Sequence, residues 1–343
     1  AWKPGSGAFT IDKIYHMKHT NYPTTRVIFS VSVLIALSGF HPLHAQGAQD
    51  WVAQSDAYTA KLLEVMAGHN PESAARIGVE GYDEEISDLS AGFREKELKA
   101  LEESRTYFLS AYEKESDRAL RQDLQILISS VSDGMESSAL EHALLLPYHP
   151  VAGSIYNGIK SLLEDRVPAG RREAALVRLR KYAGTEKGYR PYPVLAMEDM
   201  QREWTSQPDR LPPFKDQLER DLTTSHQYME EIGALFEKYD IRGYQKDYRA
   251  LKEQLEHYEN YLRTTILPQS RTDFRLPSEL YASNLKDYGV DMPIDELQRR
   301  AKVTFKELQT QMQVLANIIA REHNYPSNDY RDVIRSLKKE QLD

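Results

Sequence analysis

Residues 218–236 read LERDLTTSHQYMEEIGALF, and the spacing of their apolar positions decides the fold class. Leu218, Leu222, Met229, Ile232 and Phe236 recur at steps that bring them to one side of a helix of 3.6 residues per turn, while Glu219, Arg220, Glu230 and Glu231 fall elsewhere on it. The same period returns upstream in Leu120, Leu124, Leu127, Val131 and Met135, and downstream in Tyr248, Leu251, Leu255, Tyr258 and Leu262. A fourth stripe runs through Leu297, Ala301, Leu308, Met312, Leu315 and Ile319. A half-buried strand would alternate with period two, and no such run bounded by turn residues occurs. From Trp51 onward the chain is therefore predicted to be all-α, an array of roughly ten antiparallel amphipathic helices, each packing its apolar side on a neighbour.

The punctuation between stripes agrees. Asn70-Pro71-Glu72 offers an N-cap, a proline at the first helical position and an acid in the first turn, with Gly78 as a stop. Asp291, Pro293 and Glu296 repeat the device before the stripe that ends near His323. Other breaks are expected at Pro147–Pro150, at Val167–Gly170, from Gln207 to Pro213, and at Leu267-Pro268. A sub-division near 208–213 is the one boundary that composition suggests inside 46–343. The last residues, Lys338-Lys339-Glu340-Gln341-Leu342-Asp343, have neither cap nor terminator, which reads as a stop in or just after a helix.

The first 45 residues obey a different logic. Met17 precedes Lys18 and Arg26 and then an apolar run from Val27 to Phe40, about 14 residues, shorter than the roughly 20 a spanning helix needs. Small residues come next at Ala45, Gly47 and Ala48, so Met17–Ala45 is read as a secretion leader with cleavage after Ala45 or Ala48, and Ala1–His16 as upstream sequence. A periplasmic or secreted location is expected, with no stable membrane span once the leader is removed.

Composition narrows the chemistry. The 343 residues contain no cysteine, which excludes a disulfide framework, a thiolate metal site and a cysteine nucleophile. A net charge of -8 gives no global attraction to nucleic acid or anionic lipid. The chain has no His-Glu-x-x-His, no phosphate-cradling glycine string and no Gly-x-Ser-x-Gly. His226 with Glu230, and Glu253 with His257, stand one helical turn apart and offer two metal ligands each, although surface polar pairs explain them better. His142, Tyr148 and His149 crowd a proline turn, where a buried histidine with a backbone partner is the simpler reading. Glu102-Glu103, Glu230-Glu231 and Asp83-Glu84-Glu85 are most simply solvated faces. Tyrosine outnumbers phenylalanine 21 to 9, and Tyr189, Tyr192, Tyr239, Tyr244, Tyr248, Tyr258 and Tyr261 either line a groove for peptide or sugar or, more simply, sit at helix interfaces with their hydroxyls satisfied.

Three strings carry a family resemblance. Asn70-Pro71-Glu72-Ser73-Ala74-Ala75-Arg76-Ile77-Gly78-Val79-Glu80-Gly81-Tyr82-Asp83, with Ser87-Asp88-Leu89-Ser90 after it, resembles the opening signature of the bacterial family called domain of unknown function 885. Leu276-Pro277-Ser278-Glu279-Leu280-Tyr281, with Leu285 and Tyr288-Gly289-Val290-Asp291 beyond it, is similar to its middle section, and Asp329–Ile334 with Leu337-Lys338 extends the likeness. The resemblance implies an α-helical, zinc-metallopeptidase-like protein longer than this chain, acting on a peptide substrate. Its metal motif, of the type His-Glu-x-x-Pro-Gly-His, belongs to the C-terminal half. No position here matches it, so the resemblance assigns no catalytic or metal residue to this chain, and zinc is expected only in a full-length protein. The Tyr281–Tyr288 segment and the Tyr189–Tyr192 turn are the places it suggests for a wall of the peptide cleft. The alternative is a helical periplasmic binding or scaffolding module without enzymatic activity.

Overall fold

The computed structural model describes residues 47–286 and 288–341, so the segment read as a leader, Met17–Ala45, and the last two residues lie outside the described part. Among the described residues there are twelve α-helices of seven residues or more and no strand. They fall into two compact units, one through residue 286 and one from Tyr288. No described helix is long and apolar enough to cross a membrane.

In the first unit, α1 (Gly47–His69), α2 (Pro71–Ile77), α3 (Phe93–Lys114) and α4 (Arg118–Leu144) are succeeded by α5 (Val151–Lys160), α6 (Ala174–Ala183), α7 (Tyr192–Ser206), α8 (Lys215–Lys238), α9 (Gln245–Tyr261) and α10 (Ser278–Lys286). Two apolar clusters hold it. The stripe Leu120, Leu124, Leu127 and Val131 of α4 meets Leu62 and Met66 of α1 and Leu101 and Phe108 of α3. The larger cluster joins Ile155 and Ile159 of α5, Leu179 and Tyr182 of α6, Ala196 and Met200 of α7, Leu218 to Phe236 of α8, and Leu251 to Tyr258 of α9. Each fully buried leucine or isoleucine contributes about 1.5–3 kcal/mol relative to exposure, which is why these stripes and not helix propensity fix the packing.

The proline breaks between helices are stitched rather than loose. Leu146 N–H donates to Leu211 O at 2.9 Å and Leu211 N–H to Leu144 O at 2.8 Å, tying the segment after α7 to the end of α4. Lys215 N–H donates to Arg271 O at 2.8 Å on the far side of Pro213. At Leu267-Pro268 the helix does not simply stop. α9 passes into a π-helical turn, Leu262–Ile266, and then a 3₁₀ turn, Leu267–Gln269. A proline cannot donate and crowds the carbonyl four residues before it, which accounts for the change of register.

The 70–90 segment is held by side chains from much later in the chain. Arg178 of α6, with no exposed surface, donates to Gly158 O at 2.7 Å, Tyr82 O at 2.9 Å and Glu85 O at 3.0 Å. Glu72 accepts from Ser87 N–H at 3.0 Å, Ser87 Oγ at 2.6 Å and Tyr182 Oη at 2.8 Å. Arg171 grips Asp83 with two nitrogens, at 2.6 and 2.7 Å. Of the capping devices expected here, Gly78 is in the left-handed conformation at φ 91° and closes α2, but Asn70 makes no side-chain cap. Glu72 is turned to the 87 loop and α6 instead, a stronger set of bonds than a first-turn acid makes.

The second unit pairs α11 (Ile294–Glu322) with α12 (Tyr330–Glu340). Here the fourth stripe departs from expectation. Leu308, Met312 and Leu315 are exposed, and α11 packs on Val333 of α12 through Ala316 and Ala320, with only Ile319, the last residue of the stripe, partly buried against them. Small residues allow the closer helix approach, so the alanine face wins the contact with a short partner. At its start Pro293, not Asp291, occupies the cap position, and Glu296 pairs with Arg299 and Arg300.

Candidate functional site

A half-open cleft of about 200 Å³ lies in the first unit where the start of α5 meets α8 and α9. On α8 it uses a second stripe, Gln217, Asp221, Ser225 and Tyr228, spaced by four, four and three beside the apolar one, so one helix builds the core with one face and the cleft wall with the next. α9 contributes Leu255, Tyr258 and Glu259, and Leu262 joins them from the first π-helical position. The third wall is Tyr148, Pro150 and the first turn of α5, Val151, Ala152 and Gly153. A helix start leaves backbone N–H groups without intrahelical acceptors and carries the positive end of the helix dipole.

Asp221 accepts a hydrogen bond from Tyr148 Oη at 2.9 Å. Burial pushes its carboxyl above the usual aspartate value, opposed by that hydrogen bond and by the charge of Arg220. Among the described residues no cation reaches ion-pair distance of it. Ser225 Oγ donates to Glu259, whose other oxygen lies 3.7 Å from Arg263. Tyr258, 2% exposed, donates to His149 O at 2.6 Å, and burial holds its hydroxyl well above the ordinary tyrosine value. Tyr228 stacks on Tyr156 with centroids 4.8 Å apart, and Tyr156 donates to Glu231. The cleft thus sets donors and acceptors around an aromatic and aliphatic floor, a lining that suits a small amphiphilic ligand.

Behind Tyr148, His149 Nε2 bonds Asp199 Oδ2 at 2.8 Å, both side chains buried. Burial alone would raise the Asp199 carboxyl, but His149, then Arg94 and Arg202, more than offset it and hold it below the usual range. His142 accepts from Arg94 at 2.8 Å, and burial with the nearby arginines pushes its imidazole toward the neutral form. His149 therefore fastens the proline turn to α7, whereas His142 lies in the last turn of α4 and links it to α3.

The remaining polar groups singled out in the sequence go to the surface or to structure. His226 and Glu230 stand 3.6 Å apart on an exposed face of α8, and Glu253 and His257 lie on the outer side of α9. Among the described residues no three histidine or carboxylate groups converge to hold a metal. Tyr189 donates to Glu85, Tyr239 to Asp165 and Tyr248 to Met229 O, so their hydroxyls are satisfied; Tyr248 joins α9 to α8, while Tyr189 and Tyr239 lie in the connections after α6 and α8. Tyr281 and Tyr288 are exposed. The residues that sequence reasoning misses are Gln217, Asp221, Ser225 and Glu259. A signal for the first three is present in the polar stripe flanking the apolar one on 215–236.

A family model described as a bacterial protein of unknown function, DUF885, matches residues 71–342. No curated protein matches the chain.

Proposed function

Because the chain belongs to the bacterial DUF885 family, we propose that it is the substrate-holding helical part of a secreted peptide hydrolase, with the α5–α8–α9 cleft as the seat of the peptide. The observation that carries this reading is that one cleft lining holds the first turn of α5, whose positive dipole end suits carbonyl oxygens, and the carboxylate of Asp221, which suits N–H or ammonium groups. A peptide backbone offers both kinds of group, and Tyr228 and Leu255 supply apolar surface for a side chain. Zinc, which the family likeness implies, finds no fitting ligand set among the described residues, so bond cleavage is assigned to none of them. Remote contacts of this kind serve by fixing the substrate's position for groups elsewhere.

The alternative is a binding module without hydrolysis. It is favoured by the way Glu72 and Asp83, the acids of the family signature, are held in intramolecular bonds. Calorimetric titration with short peptides tests the shared part of both readings. Hydrolysis of the same peptides separates them: where it occurs, Tyr228→Ala is expected to raise KM and leave kcat nearly unchanged. A kcat that collapses with KM unchanged would oppose a holding role.

A further inference from the structure

Resting on the peptide reading, we propose that the cleft recognises the free amino terminus of its ligand, with Asp221 as the partner of the α-ammonium group. Asp221 is a partly buried carboxylate on a cleft wall, and the donor that reaches it is a neutral hydroxyl, Tyr148 Oη. A desolvated carboxylate without an ion-pair partner is unfavourable, and the arrangement becomes favourable when a ligand brings the cation. Arg220, which also lines the cleft, neighbours Asp221 on α8 and its charge partly offsets the burial of the carboxyl, but it does not reach ion-pair distance. Glu259, the second acid of the cleft, is already engaged by Ser225 and Arg263, which leaves Asp221 as the group in need of charge. Burial raising the Asp221 carboxyl is the behaviour of such an uncompensated group.

The rest of the cleft suits the atoms next to an amino terminus. The first carbonyl oxygen is expected toward the first turn of α5, with its positive dipole end, and the first side chain toward Tyr228, Leu255 and Leu262. At about 200 Å³ the cleft is below the roughly 300–1,000 Å³ of sites that enclose drug-sized ligands, a size that suits a short segment such as a terminal residue.

The test is calorimetric titration of the purified chain with trialanine, N-acetyl-trialanine and trialanine amide. Acetylation removes the cation and is expected to weaken binding about tenfold or more, whereas amidation at the other end changes little. Asp221→Asn, which keeps an acceptor for Tyr148, is expected to lower trialanine affinity to that of the acetylated peptide. Asp221→Ser serves as the second variant, with a thermal melt to establish that each is folded. Equal affinity for free and acetylated peptide overturns the inference and leaves peptide binding standing. Discrimination that survives in both folded variants overturns the assignment to Asp221. If none of the three peptides binds, the peptide reading falls and this inference with it.

Discussion

Replacing Arg178 with methionine removes a buried guanidinium while keeping most of its stem volume. The side chain has no exposed surface, and its donations to Glu85 O, Tyr82 O and Gly158 O run between 2.7 and 3.0 Å. Gly158 O keeps Ser161 Oγ as a donor, and Tyr82 O keeps the N–H of Glu85, but Glu85 O loses the partner the structure gives it. Unsatisfied buried carbonyls cost about 1–3 kcal/mol each, and part of this is returned because a charge no longer has to be desolvated. The net expectation for Arg178→Met is a loss of about 2 kcal/mol. For a unit of this size that is a fall in Tm of roughly 4–8 °C, read by circular dichroism. Limited proteolysis should show new cuts in the 79–91 segment, since that segment loses its anchor. A Tm within roughly 2 °C of the parent, with no new cuts, would refute the reasoning and mean that water replaces the guanidinium at no cost.

The two aspartates near the cleft should respond oppositely. Asp199 has a folded value held below the ordinary one, so its contribution is present above the unfolded aspartate value of about 3.9 and is lost as pH falls through the folded value. Asp199→Asn should therefore lower the urea midpoint at pH 7 and flatten the acid limb of the stability profile; an unchanged limb counts against the His149–Asp199 pair. Asp221 has a raised folded value, so its charge opposes folding once pH exceeds the unfolded value, and Asp221→Asn should be neutral or stabilising at pH 7. Clear destabilisation would show that Tyr148 needs the charge. Gly184→Ala is expected to cost more than about 1–2 kcal/mol, because φ is +66° and an added Cβ would stand 2.4 Å from Pro191 N. A parent-like melt would indicate that the α6–α7 turn shifts freely.

Local features are the legible ones. The stripes Leu120–Met135 and Leu218–Phe236 can be read because a period of 3.6 reports burial of one helix face without knowledge of the partner, and both are packed in the two clusters of the first unit. The stripe of α11 shows the limit of that logic. Its period is helical and the helix forms, but Leu308 and Leu315 are exposed because an apolar face says nothing about which element covers it. The 70–83 signature is recognisable as a string, but its bonds run to Arg171, Arg178 and Tyr182, far along the chain. The cleft is hidden for the same reason: Tyr148 meets Asp221 and Ser225 meets Glu259 only after α5, α8 and α9 pack. At the proline turn, burial of His149 is legible from its setting, whereas its partner is the Asp199 carboxylate rather than a backbone group, which no spacing could supply.

Photo-crosslinking with a short peptide that carries a benzophenone at its second residue, with the adducts mapped by mass spectrometry, tests the central claim most directly. The account predicts adducts on Gln217, Tyr228 or Leu255 at the cleft, competed away by excess trialanine. Specific, competed adducts confined to other surfaces, such as the exposed face of α11 around Leu308 and Leu315, would contradict it.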